Sequence, residues 1–147
     1  ARGFEMNILA YDVNPDKKLA KENKVKYVDL DDLYKNADII TLHVPLKRGT
    51  YKMIGKRELD LMKKNTILIN TARGGLIDED ALYKALKKNT IYGAGLDVFE
   101  QEPPSNKKLF ELDNLIISPH SGASTYEAVD NMSFEAVKNL IRDLSDE

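Results

Sequence analysis

Three side chains with complementary chemistry follow short apolar runs of the sequence. Arg73 lies in Asn-Thr-Ala-Arg-Gly-Gly, Glu102 precedes two prolines, and His120 lies in Ser-Pro-His-Ser-Gly-Ala. An arginine binds a carboxylate through two parallel hydrogen bonds, and a histidine can donate a proton near neutral pH. A carboxylate beside the histidine fixes its tautomer and favours its protonated form. Such a set is sufficient to hold a 2-oxo acid and to protonate its carbonyl oxygen.

Each member of this set also has a purely structural interpretation. Arg73 fits a surface arginine in a strand-to-helix loop, although the two glycines after it allow a ligand to approach closely. Glu102 fits an exposed loop glutamate, and Asp97 and Glu100 compete with it for the role of the carboxylate. Pro103 favours an extended conformation at Glu102, which limits the freedom of that side chain to turn into solvent. Spacing alone leaves these alternatives open.

The two histidines of the chain compete for the role of proton donor. Both His43 and His120 follow a predicted strand. Gly122 and Ala123 would let a ligand approach His120, whereas His43 lies in the apolar stretch Leu-His-Val-Pro-Leu, where we expect it to pack. Spacing therefore favours His120 by a small margin.

An aspartate ends the first predicted strand. In dinucleotide-binding folds an acidic residue at this place accepts hydrogen bonds from the adenosine ribose, and Asp12 fits that role. It fits equally well a turn aspartate ahead of Asn14 and Pro15. Its charge would favour NAD over NADP, although Lys17 and Lys18 are close enough in sequence to leave that preference open.

A glycine-rich segment at residues 93–98 begins like a phosphate-binding turn. Its sequence, Gly-Ala-Gly-Leu-Asp-Val, ends in valine where the G-x-G-x-x-G fingerprint has glycine, and it does not open a helix. We expect these small residues to allow tight packing of a buried strand instead.

Short apolar segments alternate with amphipathic ones along the chain. Predicted strands occupy residues 6–11, 25–28, 39–43 (a buried strand), 66–70, 91–98 and 115–118. Predicted helices follow the turn at 12–15, occupy residues 30–37 and 58–62, and begin at Asp78 and at residues 124–127. This order predicts a parallel α/β sheet in one domain, residues 1–147. Ligands bind outside the carboxyl ends of such strands, so we expect Arg73, Glu102 and His120 to converge on one rim.

The last predicted helix opens with a capping-box pattern that runs from Ser124 to Glu127. One of its faces is apolar and consists of Val129, Met132, Val137, Leu140, Ile141 and Leu144. Met132 and Phe134 lie on different faces of the helix. We expect either residue to pack in the core, with a dimer contact as the alternative.

Composition excludes several classes of protein. A chain of 147 residues has enough material for one domain with a core, and a net charge of −2 gives no electrostatic reason to expect nucleic acid or an anionic membrane as a partner. The chain has no cysteine, which excludes disulfides, thiol chemistry and cysteine metal sites. It has neither a transmembrane-length apolar run nor a secretory signal, so we expect a cytoplasmic location.

Five segments resemble, in the same order, the NAD-binding domain of the D-isomer-specific 2-hydroxyacid dehydrogenases. They cover nearly the whole chain, and their joint occurrence is specific although each segment is weak alone. They are Leu-Ala-Tyr-Asp at 9–12, Leu-His-Val-Pro-Leu at 42–46, Asn-Thr-Ala-Arg-Gly-Gly-Leu-Ile-Asp at 70–78, Gly-Leu-Asp-Val-Phe-Glu-Gln-Glu-Pro at 95–103 and Ser-Pro-His-Ser-Gly-Ala-Ser-Thr at 118–125.

The resemblance implies NAD as the cofactor, no metal, and reversible hydride transfer between the nicotinamide and C2 of a small 2-hydroxy or 2-oxo acid. By resemblance, Arg73 binds the carboxylate and carbonyl of the substrate, Glu102 supports the histidine, and His120 is the acid/base. Asp97 would meet the nicotinamide amide. The implied contacts to NAD are Asp12, Val44, Pro45, Thr71, Ala72, Arg73, Asp97, His120, Ser121, Gly122 and Ala123.

The family pattern also implies parts that these residues do not show. Its first strand and Gly-rich turn, which seat the pyrophosphate, are missing, and so is its substrate domain. We therefore expect a partial Rossmann-type domain with helices on both faces, in which loss of a central strand leaves two strands with exposed edges. We expect this fragment alone to be inactive and the complete chain to form a homodimer.

Substrate and class of function stay open at this point. The segments at 100–104 and 118–123 lean towards members that resemble 3-phosphoglycerate dehydrogenase, while glycerate, hydroxypyruvate and lactate are not excluded. A regulatory protein of the family's corepressor type, with NAD as a structural or sensing ligand, is a second class. An α/β domain without an active site is the third.

Overall fold

Six parallel strands and five α-helices form the structure, a computed structural model that describes residues 1–145; the last two residues of the predicted domain lie outside it. Every predicted strand and helix is present, and each strand is shorter than predicted by one to four residues. The strands are β1 (Ile8–Ala10), β2 (Val25–Tyr27), β3 (Ile39–Leu42), β4 (Ile67–Asn70), β5 (Gly93–Leu96) and β6 (Leu115–Ile117). The helices are α1 (Lys17–Asn23), α2 (Leu30–Asn36), α3 (Lys56–Leu61), α4 (Glu79–Lys87) and α5 (Tyr126–Ser145), with 3₁₀ turns at Arg2–Phe4 and Lys107–Glu111.

The last four strands pair in chain order, β3-β4-β5-β6, and all of these pairs are parallel. In this register Asn70 stands opposite Leu96, and Leu96 stands opposite Ile117. The carboxyl ends of β4, β5 and β6 are therefore level, and the loops that follow them leave from one edge of the sheet.

β1 and β2 form a separate parallel pair. Within residues 1–145, β1 pairs only with β2, and β3 pairs only with β4. Each of the two strands thus has one edge without a strand partner, which confirms the prediction of two unpaired neighbours. Such edges leave backbone N–H and C=O groups available for pairing.

The core lies between one face of the four-stranded sheet and helices α2 to α4. Leu68 of β4 packs in one cluster with Leu59 of α3 and with Leu82 and Leu86 of α4, all almost fully buried. Asp78 caps α4 as predicted, since its Oδ1 accepts hydrogen bonds from the backbone N–H groups of the helix's first turn. The capped and buried α4 therefore has a fixed position against β4 and β5.

The opposite face of this sheet is more open than the sequence predicts. In β3, Ile40 and Leu42 are buried, whereas Ile39 and Thr41 are exposed. The prediction of a wholly buried strand is wrong because burial alternates along β3, as it does in a strand that is covered on one side. Ile116 of β6 is also exposed on the described part of the chain.

The glycines of the 93–98 segment lie inside β5, between two paired strands, and no phosphate-binding turn forms there. A Cβ atom at Gly93 would lie 3.0 Å from the carbonyl oxygen of Asn114, which confirms the expected tight packing at this position. Around Gly95 nothing lies within 4 Å of such an atom, so packing does not require glycine there.

α5 differs from its prediction in two respects. Its cap is Thr125, whose Oγ1 accepts a hydrogen bond of 3.1 Å from the Ala128 N–H, so the predicted capping box at Ser124 is wrong by one residue. Met132 and Phe134 are 56% and 68% exposed, so the prediction that they pack in the core is also wrong. The physical reason is that α5 makes few contacts with the other described elements.

No helix within residues 1–145 combines the length and the hydrophobicity needed to cross a bilayer.

Two leucines on helices provide a matched test of this packing. Leu82 of α4 is 0% exposed and Leu140 of α5 is 60% exposed. We expect Leu82→Ala to lower the free energy of unfolding by about 2–5 kcal/mol, because it leaves a cavity, and Leu140→Ala to lower it by less than about 0.5 kcal/mol. Urea unfolding of this chain, followed by circular dichroism, measures both values. Equal losses would contradict the exposed position of α5.

Candidate active site

Three loops at the carboxyl edge of the four-stranded sheet carry the predicted catalytic residues. The loop after β4 carries Arg73, the loop after β5 carries Glu102, and the loop after β6 carries His120. The level ends of these strands place the three loops side by side, as expected for a parallel α/β sheet.

A buried asparagine at the end of β4 shapes the loop that carries the arginine. The Asn70 side-chain amide donates a hydrogen bond of 2.9 Å to the Arg73 carbonyl oxygen. Its oxygen accepts one of 3.1 Å from the Ala72 N–H. Sequence reasoning missed this role of Asn70; a polar residue at the end of an apolar strand was the available signal, because buried polar groups need partners.

The guanidinium of Arg73 is exposed at the rim. Its Nη1 donates a hydrogen bond of 2.6 Å to the Ala72 carbonyl oxygen, and within residues 1–145 no carboxylate pairs with it. The remaining donors of the planar fork are therefore available to an anion. No hydrogen bond joins Arg73 to Glu102 or His120 in the described chain, so the structure brings these residues to the same edge but not into contact.

Glu102 and His120 are in direct contact, as the sequence predicts. Nδ1 of His120 lies 2.8 Å from Oε2 of Glu102, and Oε1 of Glu102 accepts a hydrogen bond of 3.1 Å from the Phe99 N–H. The hydrogen bond from His120 and, second, that from Phe99 lower the pKa of Glu102. An ionised carboxylate only accepts, so Nδ1 carries a proton and Nε2 is the nitrogen left for a ligand.

The backbone of His120 adopts a conformation that is uncommon for residues other than glycine. Its φ is 52°, in the left-handed region, which few residues other than glycine adopt. Surrounding structure must hold such a residue in place, and conformations of this kind cluster at functional sites.

Asp97 holds the turn that contains His120. It is only 4% exposed; its Oδ1 accepts from the Ser118 hydroxyl at 2.6 Å and from the Ser121 N–H at 2.9 Å. Its Oδ2 accepts from the Gly122 N–H at 2.9 Å. The Ser118 hydroxyl, followed by the Ser121 N–H, lowers the pKa of Asp97. Sequence reasoning did not assign this role to Asp97 or any role to Ser118.

The remaining predicted contacts line the same edge. They lie on the loops after β3, β4 and β6, where Val44 and Ala72 are half-buried and the others are exposed: Pro45, Thr71, Ser121, Gly122 and Ala123. Within the described chain, no group of three or more acidic or histidine side chains is placed to hold a metal ion.

His43 does not pack as expected. It is exposed, and its Nε2 lies 3.0 Å from the hydroxyl oxygen of Thr41. The packing prediction is wrong because the chain leaves the sheet at this residue, after the last residue of β3. Unlike His120, it has no carboxylate partner among residues 1–145.

Asp12 lies at the end of the β1 region, where its Oδ1 accepts a hydrogen bond of 2.8 Å from the Asn14 N–H. This is the turn interpretation of the residue. Its other carboxylate oxygen accepts no hydrogen bond from the described residues. Asp12 can therefore form this turn and still bind a ribose hydroxyl with its second oxygen. The contact to the ribose stays a prediction.

Comparison with known proteins identifies the family. The model of the D-isomer-specific 2-hydroxyacid dehydrogenase NAD-binding domain matches residues 1–122. The chain is 50% identical over 141 residues to a glyoxylate reductase of Thermococcus litoralis, covering 96% of the chain and 43% of that protein. It is 50% identical over 146 residues to a D-3-phosphoglycerate dehydrogenase of Methanocaldococcus jannaschii, covering 97% of the chain and 28% of that protein.

A solved structure agrees with these relatives. D-lactate dehydrogenase of Aquifex aeolicus, complexed with NAD and lactic acid, superposes with a TM-score of 0.89 at 38% identity, over 98% of this chain and 48% of that one. This confirms the predicted Rossmann-type fold. The chain spans less than half the length of the relatives it matches. The chain belongs to the D-isomer-specific 2-hydroxyacid dehydrogenases and forms part of their NAD-binding domain.

Proposed function

We propose that the complete protein is an NAD-dependent oxidoreductase that transfers a hydride between the nicotinamide and C2 of a small D-2-hydroxy acid or 2-oxo acid. Residues 1–147 supply part of its dinucleotide-binding domain, and the substrate domain lies outside them. The observation that carries the proposal is the contact of 2.8 Å between His120 and Glu102 at the carboxyl edge of the sheet. We further propose a cytoplasmic homodimer that acts on a small molecule, without a nucleic-acid or membrane partner.

Groups that follow β1 and groups at the carboxyl edge of the four-stranded sheet fit NAD. The free oxygen of Asp12 suits a ribose hydroxyl, and the exposed turn at Gly122 and Ala123 allows a ligand to approach the backbone. We propose that NAD contacts Asp12, Val44, Pro45, Thr71, Ala72, Arg73, Asp97, His120, Ser121, Gly122 and Ala123. Bound NADH would supply the hydride.

Proton transfer is the part of the reaction that we assign to His120. Protonated Nε2 would donate its proton to the carbonyl oxygen of the substrate, while Glu102 stabilises the ring through Nδ1. In the reverse direction neutral Nε2 would accept the proton of the hydroxyl group. Because Glu102 has a lowered pKa, it stays ionised at neutral pH and keeps the ring oriented.

Substrate binding is assigned to Arg73. Its exposed guanidinium can bind the carboxylate of the acid at two points. The relatives at 50% identity are named for glyoxylate and for 3-phosphoglycerate, so the proposal covers the class of small 2-oxo acids, with a 3-phosphoglycerate-type substrate as one member. The regulatory alternative is not favoured, because these relatives are reductases and dehydrogenases.

The two histidines test the assignment of the proton donor. We expect His120→Ala to lower kcat of the complete enzyme by about 10²–10⁴-fold, the usual contribution of a general acid, while the Kd for NADH changes little. His43→Ala, which removes the exposed histidine, should retain most of the rate. Steady-state kinetics with a panel of 2-oxo acids and NADH fluorescence titration measure both effects. A near-normal rate for His120→Ala would remove this residue from the role.

Arg73→Lys tests the carboxylate contact. Lysine keeps the charge but cannot form the two-point contact, so we expect a rise in KM for the 2-oxo acid of at least about tenfold, with a loss of kcat. Arg142→Lys on α5 is the matched control and should change neither constant. An unchanged KM for Arg73→Lys would contradict the assignment.

The lowered pKa of Asp97 gives a prediction about pH. In the folded chain the carboxyl stays ionised below its usual pKa of 3.8, so its contribution to stability is complete above that value and is lost as the pH falls through the lowered pKa. Asp97→Asn leaves a backbone N–H of the turn without an acceptor. We expect it to destabilise the chain equally at pH 7 and pH 5, and less at pH 3. Urea unfolding at the three pH values measures the free energy of unfolding of this variant, with the exposed Asp113→Asn as the control. A destabilisation by Asp97→Asn that grows towards pH 3 would contradict the prediction.

A further inference from the structure

The position of Glu102 is set by a loop that has no regular secondary structure. After β5 ends at Leu96, the chain runs through residues 97–106 before the next 3₁₀ turn begins. Glu102 reaches His120 from this loop. Its location therefore depends on what holds the preceding residues, above all the peptide between Phe99 and Glu100.

Two contacts fix this peptide, one from α4 and one from the loop after β4. The Glu100 N–H donates a hydrogen bond of 2.7 Å to Oε1 of Glu79, in the first turn of α4. On the other side lies Gly74, where a Cβ atom would be only 1.7 Å from the Phe99 carbonyl oxygen. The Phe99 N–H in turn donates to Glu102 itself. A shift of this peptide would thus move the carboxylate that orients His120.

The side chain of Glu100 forms a third contact, which no step of the proposed reaction uses. Its Oε1 accepts a hydrogen bond of 2.5 Å from the Tyr51 hydroxyl, and its Oε2 lies 3.7 Å from the Lys52 ammonium. Lys52 also lies 3.9 Å from Oδ2 of Asp78, the cap of α4. The hydrogen bond to Glu100 raises the pKa of Tyr51, so the phenol remains a donor at neutral pH.

Tyr51 and Lys52 are themselves held to the loop that carries Arg73. The Lys52 N–H donates a hydrogen bond of 2.7 Å to the Gly75 carbonyl oxygen. Gly75 has a φ of 75° and lies against the Tyr51 ring, which a Cβ atom on it would approach to 3.5 Å. Glu100 is therefore joined, through these two residues, to the loop after β4.

We propose that Glu100 is a positioning residue for the proposed proton transfer: held by Tyr51 and Lys52, it fixes the peptide from which Glu102 reaches His120. This inference rests on the function proposed above. The pair with Lys52 is partly exposed and longer than a hydrogen bond, so the hydrogen bond from Tyr51 is the principal restraint. An amide at position 100 can still accept that hydrogen bond, whereas a methyl group cannot.

Kinetics of the complete enzyme test this assignment. Because a small displacement of a catalytic group can reduce the rate strongly, we expect Glu100→Ala and Tyr51→Phe each to lower kcat about tenfold, with the Kd for NADH within about twofold of the wild type. Glu100→Gln should restore kcat to within about threefold. The double variant Tyr51→Phe/Glu100→Ala should be no slower than either single variant, since both remove one interaction. Tyr83→Phe, which removes a hydroxyl bound to Lys87, is the matched control and should retain the wild-type rate.

A second measurement does not depend on turnover. In ¹⁵N-labelled protein at a pH where His120 is neutral, its ring should be in the tautomer with the proton on Nδ1, and Glu100→Ala should shift it towards a mixture of both tautomers. The His120 signal is identified by its absence in His120→Gln. Circular dichroism confirms that each variant is folded.

The outcomes separate the inference from the function on which it rests. An inactive complete enzyme with the expected tautomer shift would contradict the proposed function and support the positioning role. An active enzyme in which Glu100→Ala loses less than about threefold in kcat and leaves the tautomer unchanged would overturn the positioning role alone. The positioning role would also be overturned if the losses in kcat of Tyr51→Phe and Glu100→Ala multiplied in the double variant. A kcat for Glu100→Gln as low as that for Glu100→Ala would overturn it as well.

Discussion

Parallel pairing of β4, β5 and β6 is the constraint on which the candidate active site depends. Because the register sets Asn70, Leu96 and Ile117 level with one another, three loops far apart in sequence leave the sheet at the same edge. The strands themselves contribute no catalytic group. They supply a rigid base, buried on one face against α2 to α4, from which short loops can hold side chains in defined positions. A slip of one strand by a single residue would send its side chains to the wrong face.

Two buried polar residues at the strand ends hold the loops that carry the site residues. Asn70 uses its amide on the turn before Arg73, and Asp97 uses both carboxylate oxygens on the turn that contains His120. Asn70 is satisfied within its own loop and Asp97 by the loop after β6, so neither adds an unpaired buried group to the described chain. The loops then hold one another through the contact of Gly74 with Phe99 and through the hydrogen bonds of Glu100. Loop geometry in this structure is thus maintained by hydrogen bonds from side chains to backbone groups and to other side chains, together with the close packing at Gly74.

The same chain leaves apolar surface uncovered elsewhere. Within residues 1–145, one face of the four-stranded sheet is open at Ile39 and Ile116, and the apolar face of α5 is exposed. β1 and β3 each present an unpaired edge. These features agree with a chain that spans less than half the length of its relatives.

The sequence by itself determined the order of strands and helices and the parallel α/β class, because hydrophobic periodicity and caps depend on neighbouring residues. It predicted the Glu102–His120 pair only through the resemblance to the family, because spacing alone does not decide which side chains 18 residues apart will meet. Tertiary structure decided what depends on contacts between distant segments. Asp97 holds the turn that contains His120, and Glu100 contacts Tyr51. His43 is exposed, and Arg73 makes no hydrogen bond to Glu102 or His120. Met132 and Phe134 of α5 are also left in solvent. An apolar stripe predicts that a helix has a side to bury, but only the packed chain decides whether a partner surface is there to bury it.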